Sequence, residues 1–291
     1  MIRSLLALAL ALILAAAAPA RAETPLERGA YLVRGIMACG NCHTPKDAEG
    51  KPIAEREMAG GFVIEAPVFR AVVPNITPDK ETGIGAWSDQ EIMVALRDGR
   101  RPDGSMIRPP MPMELYRKIS DADARAVVAY LRSLKPVPNK TEASSYKIPT
   151  PATYGPTVAN VPNPPAANRV AQGRYLSDIG HCMECHTPMV RGRMDWSKTG
   201  AGGRELPAIP AGVVATANLT PANPDGIAKW TDAQVAHAIR AGERPDGRKL
   251  VPLMAFAVGG GSHDFFLTTI PKQVAANPSI DSFSWAIPLP H

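Results

Sequence analysis

The chain has 291 residues and a formal net charge of +5, and its 45% hydrophobic content is ordinary for a globular protein. Aromatics are sparse at 5%, while 24 glycines and 30 prolines favour a loop-rich fold with helices as its regular part and a large cofactor filling the cores. The positive excess lies in the first 22 residues and in the second half, partly in 189–204; with no basic stripe interleaved with aromatics, nucleic acid is excluded as an expected partner.

Residues 1–22 place Arg3 before an apolar run from Leu5 to Ala18, followed by Ala20-Arg21-Ala22. That order is the layout of a secretory signal peptide cut after Ala22. The run is shorter than the roughly 20 residues of a spanning helix. No later segment is long and apolar enough to span a bilayer, so the expected mature chain is soluble and periplasmic, or peripheral at the inner membrane.

From residue 23 to 135 the elements read as helices. The first covers "TPLERGAYLVRGI" and leads into Cys39-Gly-Asn-Cys42-His43. Ser88 and Glu91 form a capping-box pattern that opens a second helix, and Gly99 suits its left-handed end. A loop with Met106, Met111 and Met113 follows. Ser120 and Asp123 then open a third helix, whose Ala124, Val127, Val128, Leu131 and Leu134 share one face. Residues 136–168 are rich in proline and small polar residues and read as a linker wrapped along one domain surface.

Residues 169–291 repeat the pattern. Cys39, Cys42 and His43 recur as Cys182, Cys185 and His186, at a constant spacing of 143 residues. At that spacing "NITP" (75–78) meets "NLTP" (218–221), Trp87 meets Trp230, "GRRPDG" (99–104) meets "GERPDG" (242–247), and Met111 meets Met254. Thr231 and Gln234 repeat the capping box. The expected architecture is therefore all-α: two tandem domains, 23–135 and 169–291, joined by the linker. After Met254 the likeness ends, because the tail has no counterpart of the third helix; the second domain should be the less stable one, with Met254 the more labile ligand.

Three chemistries compete for Cys-x-x-Cys. A redox dithiol wants its motif at the start of a helix on a strand–helix scaffold. A zinc site needs more ligands than two cysteines and one histidine per copy. A structural disulfide leaves the repeated histidine unexplained. Covalent haem accounts for all of it: Cys39, Cys42, Cys182 and Cys185 add to vinyl groups, and His43 and His186 ligate iron. Met106 and Met113 face Lys249 and Phe256 in the other copy, so Met111 and Met254, each 68 residues after its histidine, are the sixth-ligand candidates. Filled His/Met coordination leaves no open position, so no catalytic residue is expected and the expected role is electron transfer. The second nitrogen of each histidine should donate to a carbonyl near Pro45 or Pro188. Asn75/Asn218, Trp87/Trp230 and Arg101/Arg244 could bond haem propionates or hold loops, and His181, His237, His263 and His291 read as surface or packing residues.

"GAYLVRGIMACGNCHTP", "NITPDKETGIGAWSDQEIMVALRDGRRPDG" and "PPMPMELYRKISDADARAVVAYLRSL" resemble class I cytochrome c domains. More narrowly, they resemble the cytochrome c subunits of bacterial periplasmic alcohol and sugar dehydrogenases. The resemblance implies two covalently bound haem c groups, a dehydrogenase as electron donor, and an oxidase, quinone or cytochrome as acceptor. Those subunits carry three haem motifs, whereas this chain has two. The competing class is a dihaem enzyme, a peroxidase or thiosulfate-oxidising cytochrome, that would need a labile haem in the second domain.

Overall fold

The computed structural model describes residues 23–190, 192–208, 212–221, 226–251 and 254. The expected signal peptide and the tail after Met254 lie outside the described residues.

Helix α1 (Pro25–Ala30) starts at a capping box in which Thr24 and Glu27 satisfy each other's backbone. It runs without a break into a wider π-helical stretch, Tyr31–Ile36. Met37 N then donates to Leu32 O at 2.8 Å and Cys39 N to Val33 O at 3.0 Å. This turn delivers Cys39 to the short α2 (Gly40–His43). Helix α3 (Asp89–Asp98) has the Ser88/Glu91 capping box and ends on Gly99 at φ 68°. The short α4 (Met113–Tyr116) precedes α5 (Asp121–Ser133), where Ser120 Oγ accepts from Asp123 N at 3.1 Å.

Helix α5 crosses α1, and Gly29 sits at the crossing. A Cβ there would lie 2.0 Å from Ala126 O and 2.7 Å from Tyr130 Cβ, so only glycine allows this approach. The core forms around the crossing, with Leu32, Val33, Met58, Ile119, Ala124 and Val127 almost fully buried.

The second half repeats this order with α6 (Arg169–Ile179), α7 (Cys182–His186) and α8 (Asp232–Ala241). Helix α8 has the Thr231/Gln234 capping box and ends on Gly242 at φ 63°. Helix α6 is not free of the first half. Leu176 and Ile179 are fully buried in the same cluster as Leu32 and Ile119, and Lys118 pairs with Asp178 at 3.0 Å.

The all-α expectation is corrected here, since only 34% of the described residues are helical. Three small antiparallel sheets lie among the described residues. In the first, β1 (Val63–Ala66) pairs with β2 (Phe69–Val72), and β3 (Ser145–Tyr146) joins from the linker. The others are β4 (Met189–Val190) with β5 (Arg193–Met194), and β6 (Glu205–Ala208) with β7 (Gly212–Ala215). Strands of two to four residues are too short to print a period of two on the sequence, and their pairing rests on turns instead. Among the described residues, no helix is long and apolar enough to cross a membrane.

Candidate functional site

One continuous cavity of about 1530 Å³ carries both Cys-x-x-Cys-His motifs on its wall, together with Met111 and Met254. Each motif lies on a short helix, α2 or α7, which turns the two cysteines and the histidine into one stretch of wall. The first copy contributes apolar lining from Ile36, Ile84, Ile92 and Leu131; the second contributes Val214, Ile227, Val235 and Ile239.

The histidines are oriented alike. His43 Nδ1 donates to Pro74 O at 2.9 Å, and His186 Nδ1 donates to Ala217 O at 2.7 Å, each partner lying 31 residues on. A carbonyl can only accept, so the proton sits on Nδ1 and Nε2 keeps its lone pair. His43 is buried and His186 half-buried. Burial pushes both imidazoles below their ordinary value, against the opposing pull of the carbonyl bond. A neutral imidazole with a free Nε2 is what a ligand to iron requires. The acceptors are carbonyls, as expected, but they belong to Pro74 and Ala217 rather than to the neighbourhood of Pro45 or Pro188. Both precede the repeated Asn-x-Thr-Pro, which was the available signal.

The cysteines are free thiols with raised pKa values. Burial takes Cys39 up to about 12 and Cys182 up to about 11. A redox dithiol or a thiolate zinc site needs the opposite shift. Among the described residues, no cluster of His, Cys, Asp or Glu could hold a metal ion by itself. Paired neutral thiols beside an oriented imidazole and a large apolar wall fit a haem, whose vinyl groups the thiols would take.

The methionines divide clearly. Met113 is a core residue at 1% exposure, whereas Met111 is half-buried against the core and lines the cavity. Met106 also lines the cavity, but Lys249 in the matching place of the second copy is spent on Glu243. Met254 lines the cavity and is 37% exposed.

Loop-holding accounts for most of the remaining repeated residues. Asn75 Oδ1 accepts from Thr77 N and Oγ1 at 2.9 and 2.8 Å, and its amide donates to Thr82 Oγ1 and Val137 O. Asn218 accepts from Thr220 N and Oγ1, both at 2.7 Å. Arg101 donates to Ser105 Oγ and Met106 O. Arg244 lies over the Trp230 ring at 5.5 Å, and its Nε pairs with Asp246 Oδ2 at 3.5 Å. His181 is a packing residue, set edge-on to Tyr116 with centroids 6.4 Å apart. His263 and His291 lie outside the described residues.

Comparison with known proteins agrees with this chemistry. The family described as cytochrome c matches residues 26–135. The chain is 31% identical to the cytochrome c subunit of a quinone-type alcohol dehydrogenase from Gluconobacter oxydans, over 76% of this chain and 47% of that protein. It is 32% identical to the gluconate 2-dehydrogenase cytochrome c subunit of Pantoea cypripedii, over 83% of this chain and 57% of that one. Against a diheme cytochrome c-type protein of Cereibacter sphaeroides it is 31% identical over 72% of this chain and 70% of the relative. The chain thus spans about half the length of the two dehydrogenase subunits and most of the diheme protein. The match to the diheme protein, which is long enough to reach into both copies, carries the assignment: this chain belongs to the cytochrome c family.

Proposed function

We propose that the chain is an exported, periplasmic dihaem cytochrome that accepts electrons from a dehydrogenase and passes them toward the respiratory chain. Cys39 and Cys42 would anchor one haem and Cys182 and Cys185 the other; His43 with Met111, and His186 with Met254, would ligate the two irons. Each haem, when bound, would supply a one-electron iron couple, which His/Met ligation would set at high potential. The chain's own residues orient the imidazoles through Pro74 and Ala217 and exclude water with the apolar wall.

One observation carries the dihaem reading: the histidine-to-carbonyl device of the first copy is repeated in the second, at the same distance along the chain. The donor is read as a dehydrogenase because the relatives named above include subunits of alcohol and gluconate dehydrogenases. Export rests on the layout of residues 1–22.

Mass spectrometry of protein purified from a cytochrome-maturing host tests this. The wild type should carry two haems and begin at Glu23. The Cys39→Ser/Cys42→Ser and Cys182→Ser/Cys185→Ser variants should carry one haem each. A single haem on the wild type sinks the dihaem reading, and an intact N-terminus sinks the export reading.

A further inference from the structure

The 136–168 segment is bound to the first copy from Val137 to Val161. Val137 O accepts from Asn75 Nδ2 at 2.8 Å, and Asn139 Nδ2 donates to Ala59 O at 2.7 Å. Ser144 Oγ accepts from Val72 N at 2.9 Å, and Ser145–Tyr146 then extends the sheet as β3.

The next stretch closes on the Met111 loop. Tyr146 Oη donates to Pro109 O and Tyr154 Oη to Ile107 O, both at 2.9 Å. Arg108 stacks on the Tyr146 ring at 3.9 Å and donates to Ile148 O. The Tyr154 ring covers Gly99, where a Cβ would come within 2.9 Å of it. Val158 N then bonds Asp98 Oδ1 at 3.0 Å, beyond the loop. Three consecutive residues of the loop, Ile107, Arg108 and Pro109, are therefore fastened from outside.

Among the described residues, the second copy builds the same loop without the fastening. Leu250 N donates to Gly242 O at 2.6 Å, matching Ile107 N to Gly99 O at 2.6 Å. Val251 stands in the place of Arg108, however, and no tyrosine follows Tyr175 in the sequence. A loop methionine is a flexible ligand on a mobile type of segment, so bonds that fix the loop's backbone act directly on how often the sulfur leaves.

We propose that residues 136–168 form a strap, with Tyr146 and Tyr154 as positioning residues that hold the Met111 loop over the first haem and make its methionine the less exchangeable of the two. The inference rests on Met111 being the ligand of that haem.

The test uses the full haem-loaded chain in a Met254→Leu background, where the sulfur-to-iron charge-transfer band reports on Met111. Tyr146→Phe/Tyr154→Phe keeps both rings and removes both hydroxyls. Cyanide binding at the first haem, which must wait for the methionine to leave, should speed up by on the order of tenfold, the scale of two modest hydrogen bonds. The band should melt at lower temperature. If both readouts are unmoved in the double variant, and in each single variant should the double fail to load haem, the strap is refuted. Met111→Leu separates the two readings. If that variant retains the band, Met111 is not the ligand and the site assignment fails; if it loses the band while the tyrosine variants change nothing, only the strap fails.

Discussion

Tyr175 donates its hydroxyl to Asp123 Oδ2 at 2.6 Å, tying the first helix of the second copy to the first turn of α5. The same carboxylate takes both Nε and Nη2 of Arg28 on α1, each at 2.8 Å. Asp123 is buried, so these partners take the place of the water it has lost, and one carboxylate holds the α1/α5 crossing and the junction between the copies together. Removing the phenol should cost about 1.5–3 kcal/mol, the range for a hydrogen bond to a charged group. Asp123→Asn should cost more, about 3–5 kcal/mol, because it leaves Arg28 short of its counter-charge. Denaturant titration of Tyr175→Phe, Asp123→Asn and the double variant measures both. Additive losses would show that the two contacts are not coupled through the carboxylate.

The same pair gives the junction a pH dependence. Burial, with the Asp123 carboxylate beside it, pushes the Tyr175 phenol above its ordinary value. A group whose pKa is raised by folding stabilises fully below its unfolded pKa, about 10 for a phenol, and loses that contribution as pH rises beyond it. Wild-type unfolding free energy should therefore fall more steeply above about pH 10 than that of Tyr175→Phe. Parallel slopes for the two proteins would contradict the assignment.

Gly29→Ala tests the helix crossing. The added methyl would sit 2.0 Å from a backbone oxygen, which cannot rotate away, so α1 and α5 must separate. The loss should reach or exceed the upper end of the roughly 1–3 kcal/mol found for overpacked cores. Melting temperature and haem-loaded yield should both drop, whereas a change under about 1 kcal/mol would mean the crossing is looser than its geometry.

What the sequence made legible was contiguous. The two capping boxes, Ser88/Glu91 and Thr231/Gln234, and their glycine ends at Gly99 and Gly242 are found as read, because a cap is written within one turn of chain. The Pro74 and Ala217 carbonyls lie 31 residues from their histidines, and Tyr175 lies 52 from Asp123; spacing along the chain says nothing of such approaches. Asp123 was visible only as a helix-opening acid, although its carboxylate serves the junction. Gly29 has a signal in the shared "GAYL" and "GRYL" of the two copies, but where the third helix crosses the first is not written in the spacing of either.

The caps themselves carry a measurable prediction. In each box the hydroxyl accepts from the third backbone N–H, at 3.2 Å from Glu91 and 3.2 Å from Gln234. Ser88→Ala and Thr231→Ala should each cost about 1 kcal/mol by denaturant titration. The Glu91 carboxyl is held below its usual range by its bonds to Ser88, whereas Gln234 does not titrate. A depressed carboxylate stabilises at pH above its unfolded value and loses that as pH falls through the folded one. The Ser88→Ala loss should therefore shrink below about pH 4 and the Thr231→Ala loss should not. Equal pH dependence in both variants would sink that distinction.

The two methionine sites should also separate on heating. Met111 is half-buried against the core, on a loop whose backbone is fastened from outside at Ile107 and Pro109. Met254 is 37% exposed, on a loop whose backbone bonds among the described residues are those of its own turn, such as Met254 N to Val251 O and Leu250 N to Gly242 O. Less burial and fewer bonds to break mean an earlier local opening at the second site. The charge-transfer band of the wild type should accordingly disappear in two steps as temperature rises. Met254→Leu should abolish the first step and Met111→Leu the second. A single step, lost in proportion by either substitution, would mean that the two sites open together and that the asymmetry of their loops does not reach the iron.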